Sequence, residues 1–368
     1  ELREEIDCGG RKYFLQTSLL PQKGTIQSSF FKDGVPFDTV HVAVDGEASG
    51  EDQRRMTKET HLENKRRFLI VLNVSERVRA ADDPKPHIRI AQALARRHLF
   101  EEAIAEAQKS IAKGNKDSLP YLVIGSCGFE AGNFEEALKA TENGLAMNPE
   151  YPDLHNLLGA ICLKQRKCRQ AIECFKRAIE LNVYYGEPYL NLARAFLLNT
   201  IVKEDYDLSR DLATAFQDNL DRAAQLDPYL VAERIEEAKR LFGRSEYAAA
   251  YEILESAKRR PERGGIEDIV LDLYMTLLYD GEDLREEDVE GYLKGVREIV
   301  DQNPTFADGY NSLGILYTAK CKIFMDRANK AFRKALEINS GYQKAQKNLR
   351  LSENDRQGIF ILLKALLD

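Results

Sequence analysis

The sequence predicts a mainly α-helical solenoid of stacked helical hairpins behind a small antiparallel β module. Three observations carry this. The run Tyr310-Asn311-Ser312-Leu313-Gly314-Ile315-Leu316-Tyr317 alternates large and small residues at helical spacing, and Ala328, Phe332 and Ala335 follow it at a second helical spacing. The same pairing recurs upstream as His155–Cys162 followed by Ala171, Phe175 and Ala178. A hairpin written more than once marks a stacked array. Residues 1–50 lack that pattern and alternate between turn residues instead.

Within residues 1–50, Tyr13-Phe14-Leu15-Gln16-Thr17 is β-prone, and Pro21 and Gly24 break the run. Thr25–Phe31 follows, closed by Asp33-Gly34, and Phe37–Val44 alternates into Asp45-Gly46. Aspartate–glycine between such runs signals a hairpin, so the module reads as a meander of about three strands. Cys8-Gly9-Gly10 reads as a flexible start. Strands this few bury little alone, so the module should lean on the helix after it or on another chain.

Residues 51–83 read as a linking helix. Met56, Leu62, Phe68, Leu69, Leu72 and Val74 supply its apolar side. Arg54, Arg55, Lys58, Lys65, Arg66 and Arg67 line the remainder, as a solvated face or a partner contact. The segment Ala80–Pro86 ends this helix and opens the array.

Residues 84–340 hold the hairpins. Ser118–Tyr151 carries Tyr121, Ile124, Gly125, Ala137 and Pro149. Pro152–Tyr185 carries Leu158, Gly159, Ala171, Phe175 and Ala178, with Val183 where a proline would end the unit. Pro84–Asp117 fits more loosely through His87, Ala91, Leu94 and Ala103. These units resemble the tetratricopeptide repeat, a helix–turn–helix of 34 residues. The resemblance implies a right-handed α-solenoid whose units bind proteins. Gly125, Gly159 and Gly314 should let paired helices approach, Ala137, Ala171 and Ala328 should leave room, and Phe175, Leu220 and Phe332 should fill the gap to the next unit. Asn148-Pro149, Asp227-Pro228 and Asn303-Pro304 end second helices.

Later units depart from the ideal length. Gly186–Leu230 carries about eleven extra residues around Thr200–Leu212 relative to the repeat. Val231–Gly264 fits, Gly265–Phe306 diverges around a polar Gly281–Asp288 connection, and Ala307–Ser340 should turn near Cys321–Phe324. The total is about seven hairpins. Residues 341–368 read as a capping helix, Gly341–Leu351, and an apolar tail, Gly358–Asp368. Ile359, Phe360, Leu363 and Leu366 are the tail's contact candidates. The tail either folds back over the last unit, offers a helix to a partner, or touches a membrane.

In arrays of this family the first helix of each hairpin lines the concave side. The lining candidates are then Asp153, Asn156 and Leu163; Glu187, Leu190, Arg194 and Leu197; Ala232, Ile235, Lys239 and Phe242; and Asp308, Asn311 and Thr318. Leu122 and Ser126 stand where some members carry the residues that clamp a terminal carboxylate, which disfavours that mode. The whole layout resembles bacterial tetratricopeptide proteins with a β-rich amino-terminal module near a Tyr-x-x-Gln-Thr motif, here Tyr13–Thr17 and Phe30–Gly34.

The charge of -7 over 368 residues gives no general attraction to nucleic acid or anionic lipid. No apolar run has the length of a membrane span. The start at Glu1 shows no signal peptide, and six cysteines over this length read as reduced thiols of a cytoplasmic protein. None of His41, His61, His87, His98 and His155 has a zinc-like spacing, and Cys162, Cys168 and Cys174 read as packing thiols. Glu286-Glu287-Asp288 reads as a solvated helix end, and no phosphate loop or nucleophile elbow is present.

No cofactor or metal is expected. The expected function is a non-catalytic scaffold or adaptor that organises a multiprotein assembly through its groove. The alternative is a structural subunit of a larger bacterial complex, packing through the β module and the tail. Partners are proteins or peptide segments, as a homo-oligomer or a hetero-complex, with membrane contact only through partners or the tail.

Overall fold

The computed structural model describes residues 1–8, 10–44, 49–78, 82–205, 207, 212–258, 265–277 and 284–367. The chain divides into two compact units, residues 1–262 and 263–368.

The first unit opens with four antiparallel strands in sequential order, β1 (Leu2–Cys8), β2 (Arg11–Leu20), β3 (Thr25–Lys32) and β4 (Val35–Ala43). The meander therefore has one strand more than the sequence predicts. Its charges hide β1 from a local reading, and Gly10, at φ 77°, belongs to the turn after it and not to a loose start. Ile6 of β1 is buried. Glu4 also leans inward, because the next helix supplies its partners. The β3–β4 turn follows the expected rule: Asp33 and Gly34 have φ of 52° and 80°, the two positive values that a tight hairpin of matching twist needs. The Asp45-Gly46 turn lies outside the described residues.

Helix α1 (Gly50–Val78) covers one sheet face. Alternation puts Tyr13, Leu15, Thr17, Ile26, Ser28 and Phe30 on the buried side. Phe68 pins the two layers, with ring centroids 5.0 Å from both Tyr13 and Phe30 and 5.9 Å from Phe37. A polar chain runs beside it. The Lys65 ammonium donates to Glu4 at 2.5 Å, His61 Nε2 lies 3.3 Å from Glu4, His61 Nδ1 lies 2.9 Å from Thr17, and Thr17 meets Ser28 at 2.9 Å. Several basic residues of α1 are internally paired: Arg55 with Asp52, Lys65 with Glu4, and Arg66 and Arg67 with Glu63. Burial works against the Glu63 carboxylate, yet the two guanidinium groups outweigh it and hold its pKa at about 2.

Five hairpins follow: α2 (Pro84–Arg96) with α3 (Phe100–Ala112), α4 (Leu119–Glu130) with α5 (Phe134–Met147), α6 (Pro152–Lys164) with α7 (Cys168–Leu181), α8 (Gly186–Val202) with α9 (Leu212–Leu226), and α10 (Ala232–Gly243) with α11 (Tyr247–Glu255). A proline sits in the first turn of α2, α4 and α6, where its missing N–H is not needed. The glycine rule holds where the helices close. A Cβ on Gly159 would lie 2.5 Å from Phe175, and one on Gly125 would lie 2.9 Å from both Leu157 and Thr141. The inserted residues lengthen α8 to 17 residues, against 13 in α6.

The second unit contains α12 (Ile266–Met275), α13 (Glu286–Gln302), α14 (Ala307–Ile338) and α15 (Gln343–Leu367). Here two expectations fail. Ala307–Ser340 is not a hairpin, because α14 runs unbroken for 32 residues through the segment expected to turn. The capping helix and tail are likewise one helix of 25 residues packed along α14. No glycine or proline interrupts Ile315–Ile338. Lys322 and Ile323, in the expected turn, are buried, and Lys322 donates to Asp326 one turn on at 2.9 Å. Arg356 of α15 reaches the same carboxylate. Gly314 consequently faces no helix, since a Cβ there would meet nothing within 4 Å.

Phe68→Ala should cost about 3–5 kcal/mol, as for other large aromatic side chains removed from a core. The check is chemical denaturation combined with hydrogen exchange. Exchange protection in β2 and β3 should fall while that in α4–α7 is kept.

Candidate protein-binding surface

The lining positions of α6 and α8 form one connected polar and apolar surface. Asn156 donates to Tyr185 Oη at 3.2 Å and to Glu187 at 3.1 Å, and Asn191 donates to Asn156 at 3.1 Å. Arg194 donates to Asn191 at 3.0 Å. The asparagines thus link one unit to the next. Burial, followed by the nearby charges of Glu187 and Asp153, drives the Tyr185 phenol well above its ordinary range, so it remains a neutral partner.

The lining of α8 is covered from within the chain. α11, and not α10, is the helix that packs on α8. Ala250, Leu254 and Ala257 share one buried cluster with Leu163, Leu190, Ala193 and Leu197. Ions ring this contact. Glu255 receives Arg194 and Lys164, each at 3.0 Å, and the Arg194 guanidinium lies 5.3 Å from the centre of the Tyr251 ring. Lys258 reaches Glu187 at 2.6 Å and Asp227 at 3.1 Å. At the same end of the hairpin, Val231 N–H donates to Ala257 at 2.9 Å. A short helix of 9 residues is thereby held by an apolar strip bordered by charge pairs.

The predicted lining residues therefore divide. Asp153, Asn156, Glu187 and Arg194 join the network, although Asn156 is itself buried. Leu163, Leu190 and Leu197 are core residues covered by their neighbours, and solvent does not reach them. Ile235 and Phe242 are also interior. The Phe242 ring stacks on Phe216 at 4.3 Å, because α10 turns that face toward α9. Lys239 is engaged by Asp221 at 2.7 Å and Glu236 at 2.8 Å. Asp308 and Asn311 are exposed on the first turns of α14 in the other unit. Of the tail candidates, Leu363 is buried, Ile359 and Phe360 are half-buried, and Leu366 is exposed. Sequence reasoning missed Lys164, Tyr251, Glu255 and Lys258. Lys164 adjoins a lining position and was within reach, but the other three depend on where a later hairpin docks.

Cys127, Cys162 and Cys168 are buried packing thiols, whereas Cys321 is exposed. Burial pushes Cys127 and Cys168 up to about 12. Cys162 and Cys174 face one another across the α6–α7 hairpin, and the hydrogen bond from Cys174 lowers the Cys162 thiol below its ordinary value. Among the described residues, no three His, Cys, Asp or Glu side chains are grouped to hold a metal ion. Among the same residues, no helix is long and apolar enough to cross a membrane.

Residues 152–182, which are α6 with α7, match the family model of the tetratricopeptide repeat. The first unit carries a tetratricopeptide-type array. Its hairpins α2–α9 repeat the same construction around that matched unit. Solved structures with similar folds include MamA from Desulfovibrio magneticus RS-1, at 18% identity over 47% of this chain and 92% of that one, with a TM-score of 0.35. Pseudomonas aeruginosa pilF aligns at 12% identity over 62% and 95%, with a TM-score of 0.37. A thermophilic tetratricopeptide repeat protein of Thermus thermophilus aligns at 17% identity over 54% and 98%, with a TM-score of 0.32. Superpositions this loose carry no functional weight. No curated protein matches the chain.

The clasp of the repeat array on α11 should depend on pH in a defined direction. Burial disfavours the Glu187 carboxylate, but Lys258 and its hydrogen bonds outweigh that and hold its pKa below the ordinary value. Burial also opposes the Lys258 ammonium, yet Glu187 and Asp227 raise its pKa. The Glu187 contribution is present above the unfolded value of about 4.3 and is lost as pH falls through the lower folded value. The Lys258 contribution is present below about 10.4 and is lost as pH rises through its higher folded value. Exchange protection of α11, measured against that of α6, should stay flat between these limits and fall outside both. Glu187→Gln should reduce the acid-side loss, the remainder belonging to Glu255, where burial is outweighed by Lys164 and Arg194, which lower its pKa.

Proposed function

We propose that the chain is a non-catalytic protein-binding scaffold that receives helical segments on the first-helix face of its repeat array and so gathers partners into an assembly. One observation supports this most: that face already holds a helix, α11, by a narrow apolar strip bordered by ion pairs. Burial of apolar atoms supplies the attraction, while the charges at the border select the register. Upstream, Leu122 and Ser126 of α4 are only partly buried.

A second reading, a structural subunit packing through its last helix, is favoured by one feature. Ile361, Leu362 and Leu366 of α15 are 60%, 49% and 43% exposed. Their conversion to serine leaves the buried Leu363 and Leu367 in place and tests that reading by elution from the native assembly.

The leading reading is tested by affinity capture from the source cell with wild type and with the variant Ser126→Arg. Partners that dock on this face should weaken at least about tenfold, or about 1.4 kcal/mol, while helicity and Tm stay at wild-type values. Undiminished capture would exclude this face. Failure to recover any specific partner with wild type would remove the scaffold reading itself.

A further inference from the structure

We propose that Cys162 and Cys174 form a dithiol site that hydrogen peroxide oxidises to a disulfide, stapling the central hairpin of the repeat array. The two thiols sit on facing helices of one unit, Cys162 in the last turn of α6 and Cys174 midway along α7. Two contacts fix the register between these helices. Cys162 Sγ lies 4.0 Å from Gln170 Oε1, and Gly159, one turn before Cys162, lies against the ring of Phe175. Cys174 follows Gln170 by one helical turn and precedes Phe175, so it falls on the stretch of α7 that these contacts bring to α6. There the two thiols share a hydrogen bond. Gly159 and the buried Ala171 keep this closure narrow, and small residues let paired backbones come as near as a disulfide requires.

The pair is also suited to the chemistry. The thiolate is the nucleophile, so reactivity follows the ease with which a thiol gives up its proton. The hydrogen bond from Cys174 favours the Cys162 thiolate against its burial, and the Lys167 ammonium adds to this. The same bond, together with burial, keeps the proton on Cys174. One sulfur is thereby the attacker and the other a protonated reserve beside it. Burial holds Cys127 and Cys168 in the thiol form instead. Access selects the oxidant. Cys162 is 7% exposed and Cys174 is half-buried, an opening that suits a molecule of nearly the size of water and not a bulky disulfide such as oxidised glutathione.

The reaction balances with peroxide alone. The Cys162 thiolate attacks one peroxide oxygen, the O–O bond breaks, and Cys162 becomes a sulfenic acid while hydroxide departs. That hydroxide takes the Cys174 proton and leaves as water. The Cys174 thiolate then attacks the Cys162 sulfur, the S–O bond breaks, and a second hydroxide carries away the negative charge. Each sulfur loses one electron, and each peroxide oxygen gains one.

The new bond ties α6 to α7 across their short connection, which removes freedom from the open hairpin and so stabilises the closed one. Leu163 and Lys164 follow Cys162 directly, and both hold α11. The staple therefore lies immediately behind the candidate binding surface.

The test exposes the reduced full chain to hydrogen peroxide in native buffer, followed by alkylation, tryptic digestion and mass spectrometry. Cleavage after Lys164, Lys167 and Arg169 separates the three neighbouring cysteines, so a bond appears as two joined peptides whose identity names the pair. A Cys162–Cys174 link should form and be reversed by dithiothreitol. Exchange protection of α6 and α7 should rise at least about tenfold on oxidation, while that of α2 and α3 is unchanged. In Cys174→Ser the serine hydroxyl still donates to Cys162, which should stop at the sulfenic acid and be trapped by dimedone. In Cys162→Ser the oxidation of Cys174 should slow at least about tenfold. Both thiols remaining free for alkylation after excess peroxide would overturn the proposal. So would a link from Cys162 to Cys168, a bond that forms only in denaturant, or a bond that lowers the protection of the hairpin.

Discussion

Each helical hairpin of this chain closes on a small residue and leaves one apolar face that its own two helices cannot cover. That constraint organises the molecule. Gly159 beneath the Phe175 ring shows the closing contact, where a single added methyl would collide at 2.5 Å. The uncovered face then passes to the next hairpin, and the passing continues for as long as hairpins of similar length follow one another. At α8 the sequence lengthens the helix, and the cover changes. The second helix of the following hairpin takes the place that the first would occupy in a uniform stack.

This change explains which parts of the structure are legible in the sequence. The hairpins α2–α7 are set by contacts a few residues or one repeat apart, so glycine, alanine and proline positions are enough to find them. The tight turn at Asp33-Gly34 is equally local. β1 is different: Arg3, Glu4, Glu5 and Asp7 argue against a strand until Lys65 and His61, far along the chain, are brought to Glu4. The docking of α11 is also non-local, since Glu255 finds Lys164 across 91 residues. Register assigns Phe242 to a lining, and register fails once a hairpin is turned. The repeat period predicts positions within a hairpin. It does not predict which face the hairpin presents to the one before.

The α14 helix shows a related limit. Its sequence satisfies the repeat pattern, and a local reading closes it into a hairpin. Two features outside that pattern hold it open. The segment Lys322–Asp326 is braced by its own ion pair and by Arg356 from α15, so Lys322 and Ile323, in the middle of the expected turn, are buried as helix. Burial disfavours the Asp326 carboxylate, yet its hydrogen bonds with Lys322 and Arg356 outweigh this and lower its pKa, as expected if both cations act on the anion. The apolar α15 tail supplies the long partner surface that a short capping helix could not.

Straightening has an energetic consequence. Full burial of a large apolar side chain is worth about 1.5–3 kcal/mol. Tyr310, Tyr317, Phe324 and Ile338 each keep about half or more of their area in water, so roughly 3–6 kcal/mol of burial per chain is left unrealised. A closed hairpin would recover it by breaking the Lys322–Asp326–Arg356 brace and the contact of α15 along the helix. The covering rule is therefore met at α8, where the chain's own α11 is the cover, and is set aside at α14, where the ion-pair brace and α15 hold the helix straight and leave its aromatic side chains exposed.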